Sequence, residues 1–226
     1  MGSRGLLIAF EGIDGSGLTT HSKLLVRRLR EEGYKVGYSK EPTWGPVGVL
    51  IRELLLQPSV DHEVLALLYA ADRLWHLRAY SCLGAGLLKA LEEGYIVVLD
   101  RYKYSSMAYQ SLGAPVEWIE AINSRAPEAD IIVYLDVPPE VALNRVQARR
   151  ITYYYETLER LRKVKEAFET ILEGAEARGV RVVRIKGVEN GVERSIEEVG
   201  REVYGEVKKH IEGRVESEGA ILKSVR

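Results

Sequence analysis

Five short, continuously apolar runs, at residues 6–10, 36–38, 95–99, 131–135 and 180–185, recur along the chain with helix-length stretches between them. This alternation restricts the possible folds more than any other feature. An apolar run without polar alternation is what a strand buried on both faces presents. The intervening stretches, 19–32, 47–56, 62–93, 115–124, 139–147, 155–178 and 192–212, carry helical periodicity. Strand followed by helix throughout predicts an α/β fold of three layers, a central parallel five-stranded sheet flanked by helices and joined by right-handed crossovers, rather than two separate domains. Gly33, Gly94 and Gly179 fall where helices should stop, and Pro115 and Pro139 where they should begin. At 226 residues the chain has room for one such domain with a short lid, followed by a weakly patterned tail at 213–226.

The first apolar run leads into Gly12-Ile13-Asp14-Gly15-Ser16-Gly17-Leu18-Thr19-Thr20, and a helix follows at once. This spacing is G-x-x-x-x-G-K-[ST], the P-loop, at every fixed position but one. A glycine-rich turn between a buried strand and a helix lets backbone N–H groups converge on phosphate oxygens, with the helix N-terminus adding positive field. Gly12, Asp14, Gly15, Ser16, Gly17, Leu18, Thr19 and Thr20 are therefore the predicted ATP-binding residues. Thr19 offers a hydroxyl to Mg²⁺, and Asp100, which ends an apolar run, is the predicted metal-associated acid.

The departure is Leu18, where the pattern has a lysine. Losing a charge-assisted contact costs about 1.5–3 kcal/mol, and losing it in a transition state alone costs about 10²–10³ in rate. Three readings stay open: another cation fills the gap, the chain binds nucleotide without useful turnover, or the residue has been altered.

Charge and composition exclude other classes. Lys and Arg total 32 against 33 Asp and Glu, a formal net charge of −1, so binding nucleic acid by bulk positive charge is not expected. With 46% hydrophobic and 29% charged residues the chain is neither collagenous nor disordered, and a single cysteine, Cys82, forms no internal disulfide. Cys82 reads as a core residue of the third helix rather than a nucleophile. No run approaches the ~20 apolar residues of a membrane span, and no signal-peptide layout is visible, so the expected address is the cytoplasm. Few Asn, Gln, Met and Cys beside abundant Glu, Arg and Tyr is a composition met in proteins built for heat. Four scattered histidines, His21 and His76 among them, lack predicted carboxylate or cysteine partners and make no metal site.

Five motifs in order resemble the thymidylate kinases among the P-loop nucleoside monophosphate kinases. Phe10-Glu-Gly-Ile-Asp-Gly-Ser-Gly17 is similar to that family's opening. Lys40-Glu-Pro-Thr, with Gly48 and Ile51-Arg-Glu-Leu-Leu-Leu56, is similar to its second motif, and Leu67-Leu-Tyr-Ala-Ala-Asp-Arg73 to its third. Asp100-Arg-Tyr with Ser105 through Gln110, and Tyr134-Leu-Asp-Val-Pro-Pro-Glu140, complete the set. The resemblance covers about residues 5–212. It implies transfer of a phosphoryl group from ATP to dTMP with Mg²⁺, in a homodimer built on helices beside the acceptor site, with ATP and dTMP as substrates.

The resemblance also implies roles for single residues. Tyr69 matches the aromatic that stacks on thymine, and Arg73 and Arg101 match arginines that hold the monophosphate, for which a planar fork of donors is suited. Ser105, Ser106 and Gln110 face the same pocket, as does Glu41 of the second motif. Tyr109 crowds the ribose C2′, and Asp14 meets the sugar 3′-hydroxyl and the metal's water shell. Some members carry a catalytic arginine in the loop and others in the lid. Gly15 and Ser16 leave none in the loop, so Arg145, Arg149 and Arg150 are the candidates in a lid at about 145–156, Arg149 and Arg150 foremost, with Lys23 and Lys103 as lesser substitutes for the missing lysine. Trp44 and Trp75 fit either the acceptor pocket or a subunit contact. The competing functions are a catalytically silent nucleotide-binding homologue and a kinase for another monophosphate.

Overall fold

The computed structural model describes residues 4–79, 86–148 and 157–218. In chain order it contains β1 (Leu6–Glu11), α1 (Leu18–Glu31), β2 (Val36–Lys40), α2 (Pro46–Leu54), α3 (His62–Arg78), α4 (Leu87–Glu92), β3 (Ile96–Asp100), α5 (Lys103–Gln110), α6 (Val116–Ile122), β4 (Ile131–Asp136), α7 (Pro139–Gln147), α8 (Leu158–Ala177), β5 (Arg181–Lys186), β6 (Val188–Glu189), β7 (Val192–Glu193) and α9 (Ile196–Glu218). The five long strands form one parallel sheet in the order β2-β3-β1-β4-β5. With β1 in the middle, its loop opens at the carboxyl edge of the sheet between the ends of β3 and β4, the place where open α/β sheets bind ligands.

The period of two along each strand explains the three layers. Leu7 and Ala9 of β1 join Val97, Leu99, Ile132 and Tyr134 in one apolar cluster, covered by helices that include α3, α5 and α8. Leu6, Ile8 and Phe10 join Val98 and Val133 in the other, covered by α1 and α9. On α9, Val199, Val203, Val207 and Ile211 recur every fourth residue and are all buried.

The structure departs from the sequence expectation at five places. The predicted third helix at 62–93 divides into α3 and α4, and a Cβ on Gly86 would lie 2.5 Å from the Leu77 carbonyl oxygen, so the chain turns back tightly against the end of α3. Cys82 lies outside the described residues. α5 was not foreseen: nearly every residue of it is buried, so it has no polar face to give a helical period. The hairpin β6–β7 was also not foreseen, although Asn190 and Gly191, with φ of 51° and 79°, are the residue pair that a tight hairpin turn takes. Finally, β5 is an edge strand with Arg181, Arg184 and Lys186 exposed rather than a doubly buried one, and α9 continues through the first part of the expected tail.

Phe168 of α8 is fully buried, with its ring 5.4 Å from that of Tyr134 and 6.4 Å from that of Tyr109. It ties the outer helix to the sheet directly beneath a predicted site residue. Phe168→Ala is expected to cost about 3–5 kcal/mol of folding stability, measured as a lower denaturant midpoint with an unchanged slope.

Candidate active site

The turn between β1 and α1 has the glycine conformations of an anion-binding turn. Gly15 and Gly17 have φ of 86° and 99°, and a Cβ on Gly15 would lie 2.2 Å from the Ala142 carbonyl oxygen, so both conformation and packing demand glycine there. Among the described residues no side chain caps α1, and no acidic residue occupies its first turn, so its leading N–H groups suit an anionic ligand. Ser16 Oγ is buried in the loop with no partner among the described residues. Leu18, by contrast, is packed with Leu25, Val26 and Leu29 in the apolar cluster beneath α1.

Next to the loop, three elements meet on one carboxylate. Thr19 Oγ1 donates to Asp100 Oδ2, Lys40 Nζ donates to the same oxygen at 2.7 Å and to Thr19 Oγ1 at 3.0 Å, and Tyr38 Oη donates to Oδ2 at 3.2 Å. Asp100 Oδ1 is buried and has no partner among the described residues. A threonine hydroxyl and a carboxylate with a spare oxygen are the hard donors Mg²⁺ takes, the remaining positions being filled by water and phosphate, so these residues fit that ion. Among the described residues no cluster of three or more His, Cys, Asp or Glu suggests a protein-only metal cage.

All nine predicted acceptor residues, Asp14, Glu41, Tyr69, Arg73, Arg101, Ser105, Ser106, Tyr109 and Gln110, line one cavity of about 290 Å³. They come from β1's loop, the end of β2, α3, the end of β3 and α5. Arg101 donates to Asp14 Oδ1 at 2.6 Å, to the Gly12 carbonyl at 3.0 Å and to Ser105 Oγ at 3.0 Å. Burial works against its charge, and the Tyr109 phenol, Asp14, Asp100 and Glu11 outweigh it, so the guanidinium holds its proton more firmly than usual. Tyr109 Oη donates to Asp14 Oδ2 at 2.9 Å and accepts the Asp14 N–H at 2.8 Å, which fixes its ring.

Arg73 is deeper and more committed than the sequence suggests. Its guanidinium donates to Glu41, Asn123 and Ser106, and Glu41 also faces His76 Nδ1 at 3.1 Å. Burial works against the Glu41 charge, but Arg73 and His76 prevail and hold its carboxyl below the ordinary range. His76, expected to lack a carboxylate partner, thus has one, while its Nε2 lies 2.7 Å from Ser39 Oγ.

Other expectations are relocated. Arg145 lies in the last turn of α7 and donates to the Gly15 carbonyl at 3.2 Å and to Glu193 at 2.7 Å. Arg149, Arg150 and most of the expected lid lie outside the described residues. Lys103 donates to the Ala126 carbonyl and pairs with Glu128, and so faces away from the loop. Lys23 lies over the Tyr38 ring. Trp44 and Trp75 are exposed and do not line the cavity.

Sequence reasoning missed Lys40, although it closes a strand immediately before the predicted Glu41. It also missed a second cavity of about 380 Å³ behind the loop, between Gly15–Gly17, Arg145 and Arg194, onto which His21 opens. Burial, aided by Arg145, lowers the His21 pKa to about 4, so the ring is neutral at pH 7. The signal for His21 was its place four residues after Gly17, on the inward face of α1.

A family profile described as thymidylate kinase matches residues 10–198. The chain belongs to the thymidylate kinase family. It is similar to a putative thymidylate kinase of Aeropyrum pernix, 52% identical over 198 residues, which cover 87% of this chain and 93% of that protein. It is also similar to a probable thymidylate kinase of Pyrococcus abyssi, 38% identical over 218 residues with 93% and 99% of the two chains covered. One of Thermococcus gammatolerans is 35% identical over 219 residues, with 92% and 98% covered. The chain is thus a kinase with a three-layer α/β fold, and no helix among its described residues is long and apolar enough to cross a membrane.

In this thymidylate kinase family member, Glu11 braces the turn that presents Arg101. Arg101 has φ of 72°, a conformation costly for a side chain of this size. The turn is held by the Arg101 N–H on the Phe10 carbonyl at 3.0 Å, by the Tyr102 N–H on Glu11 Oε1 at 2.9 Å and by the Ser105 hydroxyl on Glu11 Oε2. Burial pushes the Glu11 carboxyl up to about 8, although Ser105, Arg101 and Tyr102 pull it down. The folded chain therefore keeps a proton from the ordinary carboxyl value up to about pH 8 that the unfolded chain has released, and stability falls as pH rises through that window. Glu11→Gln is expected to flatten this slope. Thermal midpoints of the two proteins between pH 5 and 9 measure it, and parallel curves would refute it.

Proposed function

We propose that the protein transfers the γ-phosphoryl group of ATP to dTMP, giving ADP and dTDP. The observation that carries this reading is the convergence of nine acceptor residues on one cavity that meets the phosphate loop at Asp14. An oxygen of the dTMP phosphate bonds to the γ-phosphorus as the bond from that phosphorus to the β,γ-bridging oxygen breaks, and the electron pair leaves on ADP.

The protein's part in such a reaction is positioning and charge neutralisation. Backbone N–H groups of the loop cradle the donor phosphates. Thr19 and Asp100 are the residues that would hold Mg²⁺, which when bound neutralises phosphate charge. Arg101 holds the acceptor phosphate, with Arg73 as a second cation fixed by Glu41. Tyr69 stacks on the base, Ser105, Ser106 and Gln110 meet its polar edge, and Asp14 meets the 3′-hydroxyl. Tyr109, locked by Asp14 and backed by Phe168, crowds C2′ and disfavours ribonucleotides. Arg149 and Arg150 of the lid, with Arg145 beside the loop, neutralise charge on the moving phosphoryl group. The reading extends to a cytoplasmic homodimer: Val64, Leu67 and Trp75 expose apolar surface along α3, beside the acceptor cavity, and a second copy would cover it.

One observation favours the competing reading of a silent homologue, the burial of Leu18 among apolar residues. That reading expects ATP and dTMP to bind while dTDP forms no faster than background. On the kinase reading, a panel of dTMP, dUMP, UMP, CMP and AMP with ATP and Mg²⁺ gives the highest kcat/KM for dTMP, and a purine preference would overturn it. Arg101→Ala is expected to lower kcat/KM for dTMP by about 10²–10³, measured by the same dTDP assay.

A further inference from the structure

Lys40 stands where the donor and acceptor halves of the site join. It lines the acceptor cavity, and its ammonium touches both Thr19 and Asp100 beside the phosphate loop. The placement is built into the sheet: β2 and β3 pair in a register that sets Lys40 opposite Asp100, and the Glu41 N–H donates to the Asp100 carbonyl at 3.1 Å. Two donors of the ammonium are engaged, and the side chain remains 35% exposed toward the site. Neither Lys23 nor Lys103 is so placed. The position normally held by the loop lysine carries Leu18, which is turned into the core.

We propose that Lys40 supplies the cation missing from the phosphate loop, bearing on the phosphoryl group as it passes from donor to acceptor, and that its ammonium competes with a divalent cation for the oxygens of Thr19 and Asp100. This rests on the kinase reading above. A flexible stem with three donors lets the ammonium leave Asp100 for a phosphate oxygen without movement of the strand. In the transfer, the acceptor oxygen–phosphorus bond forms while the bond to the bridging oxygen breaks. Lys40 neutralises charge on the transferring group and neither gains nor loses a proton. Recruitment of a lysine from β2, two strands away from β1 in the sheet, explains how Leu18 can join the core without loss of the site's positive charge.

The test compares the unaltered protein with Lys40→Met, Lys40→Arg and the double variant Leu18→Lys/Lys40→Met. Two readouts are taken: steady-state dTDP formation, and Mn²⁺ binding to the nucleotide-free protein followed by the electron paramagnetic resonance of free Mn²⁺. Lys40→Met is expected to lower kcat by about 10²–10³ with smaller changes in KM for ATP and dTMP, and to bind Mn²⁺ more tightly than the parent. Lys40→Arg retains part of the rate, and Leu18→Lys raises the rate of Lys40→Met. A kcat for Lys40→Met within about threefold of the parent, a defect confined to KM for dTMP, or an unchanged Mn²⁺ affinity would overturn the proposal. Failure of the kinase reading looks different, as an absence of dTDP from the unaltered protein. The Mn²⁺ comparison would then still decide whether Lys40 shares the oxygens of Thr19 and Asp100.

Discussion

The arrangement of the site depends on one buried carboxylate, that of Asp100. It ends β3, is shielded from solvent, and accepts from Thr19 at the start of α1 and from Lys40 and Tyr38 on β2. Three segments far apart in sequence are thereby set around the phosphate loop. A buried carboxylate is costly unless its oxygens are hydrogen-bonded, so Asp100 draws these donors in at Oδ2, while Oδ1 has no partner among the described residues. The sheet register supplies the geometry and the charge supplies the reason for convergence.

A second network, one layer deeper, fixes the acceptor side. Glu41, Arg73 and His76 are all nearly without solvent exposure, and Asn123 and Ser106 complete the guanidinium's partners. Such a buried pair adds little net stability over apolar residues of the same volume, whereas removal of one member costs about 3–5 kcal/mol because the other charge is stranded. Its use here is positional. It joins the end of β2 to α3, and so keeps Tyr69 and Arg73 on the same cavity wall as Ser106. Together with the Asp14–Tyr109–Arg101 linkage, it holds much of the cavity wall by contacts within the protein.

Much of this was legible in the chain. The doubly buried strands β1, β3 and β4 were marked by unbroken apolar runs, and the glycine spacing after β1 marked the anion-binding turn. The elements that escaped are those whose residues follow no solvent-facing period. α5 is buried nearly all round and shows no amphipathic stripe, and β6–β7 consists of two-residue strands whose only mark is Asn190-Gly191. Among candidate site residues, motif spacing singled out nine of those that line the cavity and gave no role to others of its wall, Lys40, Arg52 and Arg160 among them. It gave Lys40 no role although that residue opens the second motif, because a motif does not say which charge a strand-end lysine meets, and it placed Lys103 near the loop although that residue pairs with Glu128.

The sequence by itself determined the layer architecture and the glycine-rich turn after β1, because these follow from local periodicity and short-range spacing. Only the tertiary structure decided which charges meet. Lys40 reaches Asp100 across 60 residues of chain, Tyr102 reaches Glu11 across 91, and Tyr109 reaches Asp14 across 95. Those encounters depend on strand register and helix packing, and no spacing along the chain encodes them. The physical consequences, a carboxyl at Glu11 that keeps its proton past neutrality and a strand lysine placed beside the phosphate loop, exist only once the sheet has brought distant residues into one low-dielectric volume.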